Sequence, residues 1–172
     1  MKIRTFTFAL SCLLFSSATL HAKELLGSTE AEIKDWASHH GYTVEDTNKG
    51  TSGCHKGKQF VELSGGGVKV YALFYNALYH EASQKVTQVE FEPSSPVPLA
   101  KARTWAVQVA EVAGTRPGTQ KQLIEPGNAD SCAPLNGGFE ERYTGDYLVE
   151  YHYAPGGTTM VERVKVSNEG VR

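Results

Sequence analysis

The sequence predicts an α+β protein made of two αβββ repeats. Antiparallel sheets, helices packed on one face and one disulfide complete the expected architecture. Three observations carry the reading. Two segments with apolar residues at helical spacing each present a Trp-Ala pair, Trp36-Ala37 and Trp105-Ala106. Runs of alternating apolar residues follow each segment, and the runs match one another at nearly constant offsets. One cysteine, Cys54 or Cys132, falls in the loop after each predicted helix.

Residues 1–22 stand apart and read as a cleavable signal peptide. Lys2 and Arg4 supply a positive start, Phe6, Phe8–Leu10 and Leu13–Phe15 an apolar centre, and Ser16–Ala22 a stretch rich in small residues. The apolar centre is too short and too interrupted to span a bilayer. Cleavage after Ala22 suits the polar start Lys23-Glu24, while Ala18 fits the small-x-small rule slightly better. Ser11-Cys12 looks like the end of a lipobox, but the apolar run continues through Leu13, Leu14 and Phe15, so lipidation would cut it in half. Export to a bacterial periplasm is the expected localisation. Without Lys2 and Arg4, 15 basic residues face 19 acidic ones, a mature charge of −4. That balance, with no basic run, argues against nucleic acid or an anionic membrane surface as partner.

The first repeat is expected over 23–95. Thr29 and Glu32 have capping-box spacing, and Ile33, Trp36, Ala37 and His40 share one helical face, with Gly41 as the stop. The second, over 96–172, follows the linker Pro93–Pro98. Its helix starts near Pro98, sets Leu99, Ala102, Trp105, Ala106, Val109 and Ala113 on one face, and ends at Gly114. The strands follow in the same order. From Phe60 the offset is 79: Phe60 to Phe139, Glu62 to Glu141, Gly66 to Gly145, Val70 to Val149 and Phe74 to Tyr153. The third strands match at 75, Val86, Val89 and Phe91 against Val161, Val164 and Val166. Gly65–Gly67 and Thr144–Asp146 read as hairpin turns. The two repeats are expected to form one globular unit.

Cys12 leaves with the signal, so Cys54 and Cys132 remain as a pair that an oxidising compartment would join. No Cys-x-x-Cys supports a redox role. His39 and His40 suit a helix C-terminus, and His55, His80 and His152 are scattered singly, without metal-ligand spacing. No Gly-x-Ser-x-Gly is present, and the carboxylates Glu62, Glu90, Glu92, Glu141, Glu150 and Glu162 read as a solvated sheet face. No catalytic residue, metal or cofactor is therefore expected.

One face stands out. Lys69, Tyr71, Leu73 and Tyr75 make the first half's outward face largely apolar, where Leu148, Glu150 and His152 make the second half's polar. Such a face is either covered by the other half or kept for a partner. For the partner reading, the candidate binding residues are Tyr71, Leu73, Tyr75, Tyr79 and His80.

Gly27-Ser28-Thr29 before a short helix, then a meander ending in Val86-x-x-Val89-x-Phe91, resembles a group of small envelope domains. These are typified by the β-lactamase inhibitor protein and the small outer-membrane assembly lipoproteins. The chain departs from them in having one helix per unit and one cysteine per unit, which excludes a bridge within each repeat. The resemblance implies a binding domain without catalysis. Together these readings predict a periplasmic, non-catalytic protein-binding module. Its forms would be an inhibitor or immunity protein of an envelope-acting enzyme, or an envelope-assembly accessory, with another periplasmic or envelope protein as partner. The alternative is a small periplasmic hydrolase or ligand-binding protein with a pocket between the halves. Intact-mass measurement on protein from the periplasm should find a chain starting near Lys23. On unfolding and reduction it should gain two hydrogens for one disulfide between Cys54 and Cys132. A diacylglycerol on Cys12, or a mass unchanged by reduction, would overturn the corresponding expectation.

Overall fold

A computed structural model describes residues 25–50, 55–76, 81–110, 117–127, 134–143 and 147–168. The predicted signal peptide, Cys54, Tyr79, His80, Cys132 and the 144–146 turn lie outside them. The elements run α1 (Glu30–His40), β1 (Thr43–Lys49), β2 (Gln59–Gly65), β3 (Val68–Leu73), β4 (Tyr75–Asn76), β5 (Glu81–Ala82) and β6 (Gln88–Pro93). Then follow β7 (Val97–Pro98), α2 (Leu99–Ala110), β8 (Pro117–Ile124), β9 (Gly138–Tyr143), β10 (Tyr147–Tyr153) and β11 (Met160–Asn168).

Local chemistry accounts for the first helix. The Glu32 carboxylate accepts a hydrogen bond from the Thr29 amide at 2.8 Å, and Glu30 and Glu32 sit in the first turn. Gly41 adopts the left-handed region at φ 74°, and the Tyr42 amide closes the end on the Ala37 carbonyl at 2.8 Å. His39 and His40 turn back to the carbonyls of Asp35 and Trp36, occupying acceptors that a helix end leaves without partners.

The main sheet is antiparallel, in the order β1-β2-β3-β6-β11-β10-β9-β8, with β7 also on β11. The two halves therefore join directly. Strand β6 of the first pairs with β11 of the second through Gln88↔Ser167, Val89↔Val166, Glu90↔Lys165 and Phe91↔Val164. Alternation splits the side chains between two faces. On the helix face, Val61, Leu63, Val70, Ala72, Val89, Phe91, Val164, Val166, Val149, Tyr151 and Phe139 form one core with Ile33, Trp36, Ala37, Ala102, Trp105 and Ala106. The Phe91 and Trp105 rings stack at 5.7 Å. Arg103 of α2 also binds the buried Glu141 on this face, tying the helix to β9.

Two details differ from the sequence expectation. Each helix is followed by a further strand, β1 or β8, so each half contributes four strands to the main sheet rather than three. The gapless offset of 79 also breaks in the first hairpins. Gly65 pairs with Val68 across two turn residues, whereas Tyr143 pairs with Tyr147 across three. That extra residue turns β9 over relative to β2. Phe60 lies opposite Leu73 on the helix-free face, while Phe139 lies opposite Tyr151 in the core. Glu62 and Glu141 are split in the same way.

Because Phe91 is wholly buried at the junction of the halves, Phe91→Ala should destabilise the protein by about 3–5 kcal/mol in urea titration. Leu123→Ala, at a side chain 70% exposed, should change it by less than ~0.5 kcal/mol.

Candidate functional site

The helix-free face carries rows of side chains running across the strands. One row is Glu62, Tyr71, Glu90, Lys165, Glu150 and Glu140, from β2 to β9. Beside it, Lys69 binds Glu62 at 2.7 Å and Arg163 binds Glu92 at 2.6 Å. The Glu92–Arg163 pair crosses from β6 to β11, so it links the two halves.

The centre of this face is buried. Glu90 and His152 are each 3% exposed. Glu90 is held by Gln88 Nε2 at 2.5 Å and by His55 Nε2 at 3.0 Å. Burial alone would favour its neutral form. The hydrogen bond and charge of His55, with the charges of Arg163 and Lys165, outweigh burial and hold the carboxyl below its ordinary range. Glu150 follows the same logic. Burial opposes its ionisation, but His152 at 3.3 Å and the Lys165 ammonium bring the carboxyl down to about 2. The solvated acidic face expected from sequence is thus, at its centre, a set of desolvated and partnered carboxylates. Burying such groups is tolerable only because each meets cations and hydrogen-bond donors.

The candidate residues named from sequence fall in different places. Tyr71 is half-buried on the helix-free face, its ring 5.1 Å from His55 and 5.6 Å from Phe60. Burial raises its phenol, and Glu92 and Glu62 nearby add to the effect. Leu73 is fully buried, opposite Phe60 and Gln88, so it packs the sheet and offers no surface. Tyr75 leaves the main sheet to pair with Ala82 in the small β4–β5 ladder, and the Lys58 ammonium sits 4.9 Å from its ring centroid. Tyr71, Leu73 and Tyr75 do not make one open patch. The residues that converge instead are His55, Glu90, Lys165, Glu150, His152 and Arg163. Their signal was complementary charge: the outward positions of β6 are Glu90 and Glu92, and those of β11 are Arg163 and Lys165.

Chemically, these carboxylates are poorly placed for proton donation. A general acid needs a raised pKa, whereas Glu90 and Glu150 are held ionised. Among the described residues, no three His, Cys, Asp or Glu side chains are grouped as a metal site. No described helix is long and apolar enough to cross a membrane. Fold and face together define an α+β protein whose antiparallel sheet is covered by helices on one side and patterned with paired charges on the other. No protein-family model, curated protein sequence or solved structure matches the chain.

The depressed Glu150 sets a pH dependence. Its folded pKa lies below the ordinary 4.5, so its contribution is complete above that value and is lost as pH falls towards about 2. Urea midpoints should therefore drop over this range by an amount on the order of 2–3 kcal/mol from this group, with Glu90 acting in the same direction. Glu150→Gln should flatten the drop and lower stability at neutral pH. An unchanged acid profile in the variant would count against the assigned role.

Proposed function

We propose that the mature chain is a periplasmic, non-catalytic protein-binding module that engages its partner on the helix-free sheet face. An inhibitor or immunity protein of an envelope-acting enzyme is one form this takes; an accessory factor in envelope assembly is the other. The observation that carries the reading is the ordered charge array spanning both halves. Its side chains are already held by cross-strand bonds, so a partner meets a surface in fixed geometry and little ordering entropy remains to be lost on binding. Lys69, Arg163 and Glu92 are the accessible members, with side chains 58%, 34% and 30% exposed, and Tyr71 adds an aromatic group among them. Charged groups of this kind favour steering and register more than raw affinity.

Two structural features belong to the same proposal. One is descent of the halves from a duplicated unit. The offset of 75 makes Glu90 and Lys165 equivalent, and these two residues pair directly where the halves meet. An antiparallel ladder has a local two-fold axis between directly opposed residues, so this pairing fits two related units joined about that axis. The other is the Cys54–Cys132 disulfide. Cys54 immediately precedes His55, whose ring reaches Glu90 on the joining strand, and Cys132 follows in the second half's corresponding loop.

The test is capture from periplasmic extract on immobilised mature protein, with Tyr71→Ala and Arg163→Gln beside the wild type. A partner retained by wild type should be lost at least about tenfold with one of the variants, while each melts within a few degrees of wild type. Equal retention by both variants would remove this face as the binding surface.

A further inference from the structure

The turn between β1 and β2 is fastened to the sheet by one side chain. Its described part, Gly50 and residues 55–58, is knit by backbone hydrogen bonds. Gly50 donates to Lys58 O at 2.9 Å, Gly57 to Gly50 O at 2.8 Å and Lys58 to His55 O at 2.9 Å. From this turn the His55 ring passes over Phe60 of β2 and Tyr71 of β3, at 5.3 and 5.1 Å. It ends on Glu90 of β6, 3.0 Å away. One hydrogen bond thus pins the turn across three neighbouring strands, with side-chain exposures of 19% for His55 and 4% for Glu90.

We propose that the His55–Glu90 pair is a proton-operated latch that sets how firmly this turn is held against the helix-free face. The groups around it are Glu90 and Gln88 from β6, Tyr71 from β3, and Arg163 and Lys165 from β11, which act on Glu90. Around neutrality the carboxylate is ionised, the phenol protonated, and arginine and lysine charged. Imidazole is the side chain whose charge ordinarily changes between about pH 5 and 8. Protonated His55 makes a charge-assisted bond to a desolvated carboxylate, roughly twice as strong as the neutral form's bond. The latch is therefore tight on the acid side and loosens as pH rises. Glu90 keeps Gln88, Arg163 and Lys165 in both states, so loosening stays within the turn and leaves the β6–β11 ladder intact. The latch stands on this geometry alone, whether or not the face binds a partner.

Amide hydrogen exchange on the mature protein, read by NMR at Gly57 and Lys58 and corrected for intrinsic rates, tests it. From about pH 5.5 to about pH 8 the protection of both amides should fall about fivefold, the ratio expected when a charged hydrogen bond becomes a neutral one. The Val89 and Glu90 amides should not change. In His55→Gln the two turn amides should be weakly protected and independent of pH, and Glu90→Gln should behave alike where it folds. Constant protection in the wild type overturns the latch. So does a pH dependence that survives in His55→Gln, a variant at a partly exposed turn position that leaves the core untouched.

Discussion

The antiparallel pairing of β6 with β11 is the constraint on which the rest of the molecule depends. On the helix face it places Val89, Phe91, Val164 and Val166 side by side, all with no exposed surface. Burial of each such side chain is worth roughly 1.5–3 kcal/mol. That gain does not by itself choose a register, since one apolar residue packs against another almost as well. The opposite face supplies the choice. A slip of one residue would carry Glu90 and Lys165 onto the helix side, among apolar neighbours with no compensating charge. Hydrophobic burial holds the halves together, and the cost of misplaced charge fixes where they meet.

Legibility in the sequence followed the range of the interactions. The helices were readable because their determinants are local: Thr29 and Glu32 at the start of α1, Gly41 at its end, and Trp-Ala on each apolar face. Hairpins β2–β3 and β10–β11 were readable for the same reason. Strands β1 and β8 were missed because edge strands need only one partner and little apolar surface. Thr43–Lys49 and Pro117–Ile124 are mostly polar, with a register irregularity in each pairing, features that protect an edge. The facing of Phe60 and Phe139 was also misjudged. It turns on a single added residue in the second hairpin, which resembles an ordinary loop until the pairing is known.

The charged site was hidden for a different reason. Glu90, Glu150, His55 and His152 are individually ordinary for a strand or loop, and alternation correctly placed the strand residues away from the core. Knowing a residue's face does not reveal what lies over it. Leu73, Gln88 and Glu90 point away from the helices yet are buried, and the His55 turn is part of what lies above them. Burial there comes from a contact between residues 35 positions apart, which local periodicity cannot register. Buried ion pairs contribute little net stability over apolar packing, but removing one partner is expensive. Their effect here is to specify the arrangement of loop and strands.

The same pairing bears on how a joined, two-part sheet presents itself to a partner. Under the proposed duplication, a symmetric ancestor would have set identical residues opposite each other at 90 and 165. Like charges there would repel, and identical apolar groups would leave the helix-free face without a means of fixing register. Glu90 and Lys165 remove that conflict by differing, and the difference spreads outward. The first half gains a histidine from a turn, His55, and the second a histidine from its own strand, His152. The first half places Tyr71 beside Glu90, whereas the second places Glu150 beside Lys165. A face built on an approximate two-fold plan thereby loses its two-fold equivalence. A partner reading that face meets two chemically distinct halves and is given one orientation in which to bind, which a symmetric sheet would not provide.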